Sequence, residues 1–180
     1  MLHIFIADGF EEIEALTVVD VLRRCGLELQ TVSVTGTRLI KGAHDIPIMV
    51  DTVFRKGEID KSDGLILPGG MPGAKNLFLH EGLRKALVNH SEKRTLIAAI
   101  CAAPMVLGRH NLLEGRRATC YPGFEEHLRG AEIINVGICE DDNLITAQGP
   151  AFASDFAFAI ASRFVDSATL AQVKDGMLFH

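Results

Sequence analysis

The chain of 180 residues contains no C-x-x-C pair, no run of basic residues and no apolar stretch approaching the ~20 residues that span a bilayer. Its four cysteines, Cys25, Cys101, Cys120 and Cys139, are widely separated. That spacing argues against a disulfide framework and a zinc knuckle, and the expectation is reduced thiols in a cytoplasm with no metal. Basic residues are scattered over a chain of net charge -5, which excludes the electrostatic footprint of a nucleic-acid binder. No basic patch leads into an apolar run and a small-residue cleavage site at the start, so neither an export signal nor a membrane partner is expected. There is no P-loop, internal repeat, low-complexity tract or linker, and residues 1–180 read as a single domain. What the chain does have is apolar mass: 48% of its residues are hydrophobic, enough for a sizeable core.

The apolar residues come in alternating blocks. His3 to Ala7 is a short continuous apolar run, the pattern of a strand covered on both faces. Asp8 and Glu11 form a variant capping box, and Ile13, Leu16, Val19 and Leu22 follow at helical spacing up to Gly26. Leu29 to Val34 closes a βαβ unit, so its two strands are parallel. Gly64 to Pro68 and Thr95 to Ile100 predict further buried strands, with helices over 83–88 and 102–109. Short strands are expected at 132–136 and 143–146, then helices at 153–164 and 167–174. This alternation predicts an α/β fold with a mostly parallel central sheet between helical layers, whose ligands bind beyond the carboxyl ends of the strands.

In such a sheet the loops after Ala7, Pro68 and Ile100 share one edge. They carry the acidic cluster Glu11, Glu12 and Glu14, then Gly69-Gly70, then Cys101. Ala99-Ile100-Cys101-Ala102-Ala103 has the form of a nucleophile elbow, with small residues two before and two after the thiol, where strand and helix approach too closely for bulk. A free cysteine is commonly a small buried hydrophobe. The strand-to-helix context favours a reactive thiol instead, with a helix N-terminus expected to promote thiolate. Gly69-Gly70 reads either as an ordinary turn or as backbone amides that, with the Ala102 amide, form an oxyanion hole. Glu11 and Glu12 suit the first turn of a helix. Glu14 borders the buried stripe, where a desolvated carboxyl holds its proton and donates to sulfur.

Taken together, Gly9-Phe10-Glu11-Glu12-Ile13-Glu14, Leu67-Pro68-Gly69-Gly70, Ala98 to Pro104 and Gln148-Gly149-Pro150 resemble the ThiJ/PfpI family, within the class I glutamine amidotransferase-like superfamily, over essentially the whole chain. The resemblance implies a flavodoxin-like three-layer sandwich and a homodimer. It implies Cys101 as nucleophile and sulfinate-forming thiol, Glu14 as its carboxyl partner, and Gly70 and Ala102 as amide donors. Activities in the family include cofactor-independent glyoxalase, deglycation and chaperone-like protection against oxidative stress.

Two departures shape the functional expectation. Ala102 stands where protease-like members carry histidine, and Tyr121 stands where a histidine often precedes the proline of the pocket loop. Tyrosine donates hydrogen bonds but is a poor base near neutral pH. His44 and His127 read as surface residues, with His44 on a loop that can approach a partner subunit. Cys25 and Cys139 read as structural thiols, and Cys120, beside Tyr121, is a candidate pocket residue. The expected function is a cysteine-dependent enzyme without a cofactor, acting on small reactive carbonyls through Cys101 and Glu14, with Gly69, Gly70, Ala102 and Tyr121 binding substrate. The alternatives are a redox sensor or stress chaperone operating through Cys101 oxidation and, ranked lower, a peptidase or amidohydrolase.

Overall fold

The computed structural model describes residues 1–179. Strand β1 (Leu2–Ile6) leads through a tight loop into α1 (Glu12–Arg24), and β2 (Leu29–Ser33) follows. Next come the hairpin β3 (Leu39–Lys41) and β4 (Pro47–Met49), β5 (Thr52–Val53), α2 (Lys56–Ile59) and β6 (Gly64–Leu67). Helices α3 (Gly73–Leu79) and α4 (Glu81–Lys93) precede β7 (Leu96–Ile100), and α5 (Pro104–Arg109) follows it. The remaining elements are β8 (Arg117–Ala118), β9 (Glu132–Ile133), β10 (Ile138–Asp141), β11 (Leu144–Ala147), α6 (Ala153–Ala161) and α7 (Ser167–Gly176).

Seven strands form the central sheet in the order β10-β11-β7-β6-β1-β2-β5. Every neighbouring pair is parallel except β10 with β11. Strands β1, β6, β7 and β11 are buried along their whole length, as strands with helices on both faces must be. Helices α1 and α6 pack together, while α3 packs against α4 and α5. The chain runs from β1 to β2 on one side and later to β6 and β7 on the other. The edge beyond Ile6 and Leu67 is therefore the point where strand order reverses, the usual crevice of doubly wound sheets.

Several expected elements sit differently. The buried residues of α1 are Glu12, Glu14, Ala15, Val18, Val21 and Leu22, whereas Ile13 and Leu16 are exposed. The helix is rotated relative to the reading from Ile13, Leu16 and Val19, because the stripe that packs inward is Ala15, Val18, Val21 and Leu22, and this phase carries Glu14 in with it. Asp8 does not cap α1; its carboxylate accepts from the Lys41 amide and ties the first loop to the β3–β4 hairpin. Helix α5 begins at Pro104, so residues 101–103 form a turn instead of the first helical turn. Helix α3, the β3–β4 hairpin and the short strands β5, β8 and β10 lack a periodic signal long enough to read from the sequence.

Candidate active site

The site is assembled by strand ends. Leu67 pairs with Ala99, and Ile100 pairs with Ala147, so the residues that follow β6, β7 and β11 emerge side by side. The Cys101 amide donates to the Ala147 carbonyl at 2.8 Å, and the Tyr121 amide donates to the Cys101 carbonyl at 2.9 Å. Held on both sides, Cys101 adopts a φ of +64°. For a residue with a side chain this left-handed conformation costs about 1–2 kcal/mol. The two backbone bonds and the buried Ala99 and Ala103 hold this sharp turn in place.

Glu14 is completely buried beneath the sulfur and does not stand on a cavity wall. Its Oε2 accepts from the Gly69 amide at 2.8 Å, while Oε1 is buried with no oxygen or nitrogen partner. Burial raises the Glu14 pKa to about 7, against the opposing pull of the Cys101 thiol and the Gly69 amide. Gly69 is thereby committed to Glu14, which corrects its assignment as an oxyanion-hole donor. Its lack of a side chain has its own reason: a Cβ there would lie 2.6 Å from the Cys101 Cβ and 2.7 Å from Glu14 Oε2. Gly70 needs its φ of +85° for the turn that aims its amide at the sulfur.

Burial pushes the Cys101 thiol up to about 12, reinforced by the charge of Glu14 and the hydrogen bond between the two side chains. The amides of Gly70 and Ala102 pull in the opposite direction. The expectation that a helix N-terminus would yield a thiolate is thus opposed here, since desolvation dominates and α5 starts three residues after the thiol. Repulsion from Glu14 applies only while its carboxyl is ionised. With its pKa raised to about 7, the carboxyl can hold its proton near neutral pH, and it then donates toward sulfur where it had repelled charge. Through that contact the protonation state of Glu14 sets the charge that the Cys101 thiol meets.

Above the sulfur lies a cavity of about 270 Å³, walled by Gly70, Ala102, Tyr121, Phe124, Pro150, Met71 and Glu11. Gly70, Ala102 and Tyr121 were expected from the sequence. The sequence pattern around Glu11 points only to helix charge and that around Met71 and Phe124 to nothing, whereas Pro150 belongs to the Gln148-Gly149-Pro150 motif. Cys120 lines a neighbouring cavity and not this one, and its thiol is pushed up to about 11 mainly by burial. Neither His44 nor His127 lines the Cys101 cavity.

Instead, His44 clamps the β3–β4 loop onto α1: its amide and its Nδ1 both contact the Glu12 carboxylate at 2.8 Å. Glu11, Glu12 and His44 are the one group among the described residues close enough together to share a metal ion. Both Glu12 oxygens are already engaged in the clamp. Cys25 and Cys139 are buried away from the site.

A mostly parallel α/β sandwich with a strained cysteine after one strand, a buried carboxyl beneath it and backbone amides beside it defines a class of proteins that present a cysteine on a sharp elbow at the sheet edge. Comparison with known proteins narrows that class. The DJ-1/PfpI family profile matches residues 2–163, and the chain belongs to that family. The Drosophila melanogaster protein dj-1beta is 33% identical over 177 residues, covering 97% of this chain and 95% of its own. Its crystal structure superposes with a TM-score of 0.94 over 99% of this chain and 97% of that one. An oxidized form of Toxoplasma gondii DJ-1 is 29% identical with a TM-score of 0.92, covering 99% and 97%. A Pyrococcus abyssi protein named a deglycase is 29% identical over 146 residues, covering 80% of this chain and 87% of its own.

Proposed function

We propose that the protein is a cofactor-independent thiol enzyme that converts small 2-oxoaldehydes, or their early adducts, into 2-hydroxy acids. The observation that carries this reading is the Cys101–Glu14 pair: a thiol at the floor of an accessible cavity, with a buried carboxyl of pKa about 7 in contact with it. A carboxyl titrating at neutral pH both accepts the thiol proton and returns it, which is what an acid–base partner must do.

The sequence of steps follows from these groups. Glu14 takes the Cys101 proton as sulfur adds to the aldehyde carbon, and the new oxyanion is held by the Gly70 and Ala102 amides. A proton then moves from the former aldehyde carbon to the adjacent carbonyl carbon by way of an enediol, so the first carbon is oxidised and the second reduced within one molecule. Water hydrolyses the resulting thioester, releasing the 2-hydroxy acid and the free thiol. The net reaction adds one water and needs no external oxidant or reductant. Tyr121, on the cavity wall, orients the substrate as a hydrogen-bond donor.

The test is lactate formation from methylglyoxal by the wild type, Cys101→Ala and Glu14→Gln. Loss of turnover in Cys101→Ala and a fall of about 100-fold in Glu14→Gln are expected. Turnover that survives the loss of Cys101 would sink the mechanism.

The same pocket also suits oxidation. Amides aimed at sulfur would hold a sulfinate, and the similar Toxoplasma gondii protein was crystallised oxidized. A role in oxidative stress in the cytoplasm is part of the proposal, as is a homodimer. Supporting the dimer, Ile13 on α1 and Leu39 and Met49 on the hairpin are exposed apolar side chains on elements joined by the His44–Glu12 clamp. Sedimentation velocity of the wild type and of Ile13→Glu decides that point.

A further inference from the structure

We propose that an apolar shelf beside the thiol cavity binds the non-reacting end of the substrate, so that the favoured 2-oxoaldehydes carry an aryl or branched apolar group. This rests on the carbonyl chemistry proposed for Cys101.

The shelf is a second cavity of about 240 Å³, and it shares Tyr121 and Pro150 with the cavity over the sulfur. Gly149, Pro150 and Ala151 line it together with Pro122 and the rings of Tyr121 and Phe152. Gln148 also borders it, but its amide is turned to the Asn135 Oδ1 at 2.9 Å, leaving no polar group committed to a ligand there. Gly149 adopts a φ of 172°, which any residue can take, so its reason is space. A Cβ there would lie 3.2 Å from the Tyr121 ring and would encroach on the shelf. Phe152 is supported from behind by Gly137, where no side chain would fit.

Size decides between a small and a larger substrate. Ligand cavities commonly measure ~300–1,000 Å³. Either cavity alone falls short of that range, and the two together reach it. Methylglyoxal, with about five non-hydrogen atoms, leaves the shelf empty and its apolar walls in water. A phenyl or branched alkyl group on the far carbonyl carbon extends past Tyr121 and removes those walls from water. The tyrosine on the shared wall thus joins the reacting end, where Glu11, Cys101 and the Gly70 and Ala102 amides lie, to a binding end that is almost wholly apolar, which suits an amphipathic ring.

The experiment compares kcat/KM for phenylglyoxal, hydrated to mandelate, with that for methylglyoxal, in the wild type, Ala151→Glu and Phe152→Ala. Ala151 is exposed, so the glutamate variant tests the shelf even where loss of the Phe152 ring disturbs folding. The phenylglyoxal-to-methylglyoxal ratio is expected to fall about tenfold in each variant. A ratio unchanged within about twofold in both overturns the shelf.

Alkylation separates the two ideas. Iodoacetanilide and iodoacetamide each form a carbon–sulfur bond at Cys101 with loss of iodide, whether or not the protein has enzymatic activity. If neither glyoxal is turned over, the carbonyl reading fails, and the shelf is judged on this pair alone. A Cys101 rate ratio about tenfold above that of a small free thiol, lost in Ala151→Glu, supports it. A ratio equal to that of the free thiol overturns it.

Discussion

Replacing Glu14 by glutamine should stabilise the protein above neutral pH and leave its stability unchanged in acid. Glutamine retains an oxygen for the Gly69 amide and offers N–H donors to the Cys101 sulfur, so the change removes charge with little change of shape. The carboxyl titrates near 4.5 when unfolded and at about 7 when buried. A raised carboxyl pKa means that the native state binds more protons than the unfolded one between those values, so stability falls as pH rises through that window. At about 1.4 kcal/mol for each pH unit, ionising Glu14 above pH 7 costs the native state about 3 kcal/mol. Below pH 4.5 both states are protonated and the cost vanishes. Guanidinium unfolding at pH 4.5 and pH 8 reads the difference directly. Glu14→Gln should match the wild type at the lower pH and exceed it by about 3 kcal/mol at the higher, or by about 6–12 °C in Tm for a chain of this size. The Cys101 thiol is pushed up to about 12 and stays protonated throughout, so it does not blur the comparison. A gap of the same size at both pH values, or a variant less stable at pH 8, would refute the burial argument.

Gly69→Ala should lose about 3 kcal/mol in the same unfolding assay, because the added Cβ meets Cys101, Glu14 and the Ile100 carbonyl all within 2.9 Å. The control is Gly57→Ala in α2, which meets nothing and should be neutral or slightly stabilising; equal effects at the two sites would contradict the packing seen around the thiol. The His44 ring should titrate above 6.5 by NMR, raised by its hydrogen bond to Glu12 and the charge of Glu11, and should move back toward 6.5 in Glu12→Gln. The raised value adds stability below pH 6.5 that fades as pH passes the folded midpoint. A midpoint at or below 6.5 would show that the clamp is not formed in solution.

The order of strands and helices was legible because buried parallel strands must be apolar along their length, and β1, β6, β7 and β11 each carry such a run. The elbow was legible too, since small residues on either side of Cys101 are a steric requirement written locally. The sandwich between helices, the parallel βαβ start and the convergence of three loops at one edge all follow from those local patterns. Glu14 was recognisable as the distinctive acid of its cluster, but not as fully buried, because helix α1 was phased on its aliphatic residues.

What the tertiary structure alone decided is how backbone groups are spent. Gly69 and Gly70 are equivalent in sequence, yet one amide serves the Glu14 carboxylate and the other the sulfur, a division set by where the turn after β6 meets α1 and the turn after β7. The thiol's protonation depends on the same packing: a helix start argues for thiolate, while burial against a carboxyl argues for thiol, and only the depth of Cys101 settles which is larger. Glu11, Phe124 and Pro150 joined the cavity because distant loops meet there, a fact no local period records. The sequence by itself determined that a thiol would stand at the crevice of a parallel sheet; the fold decided which groups hold its proton.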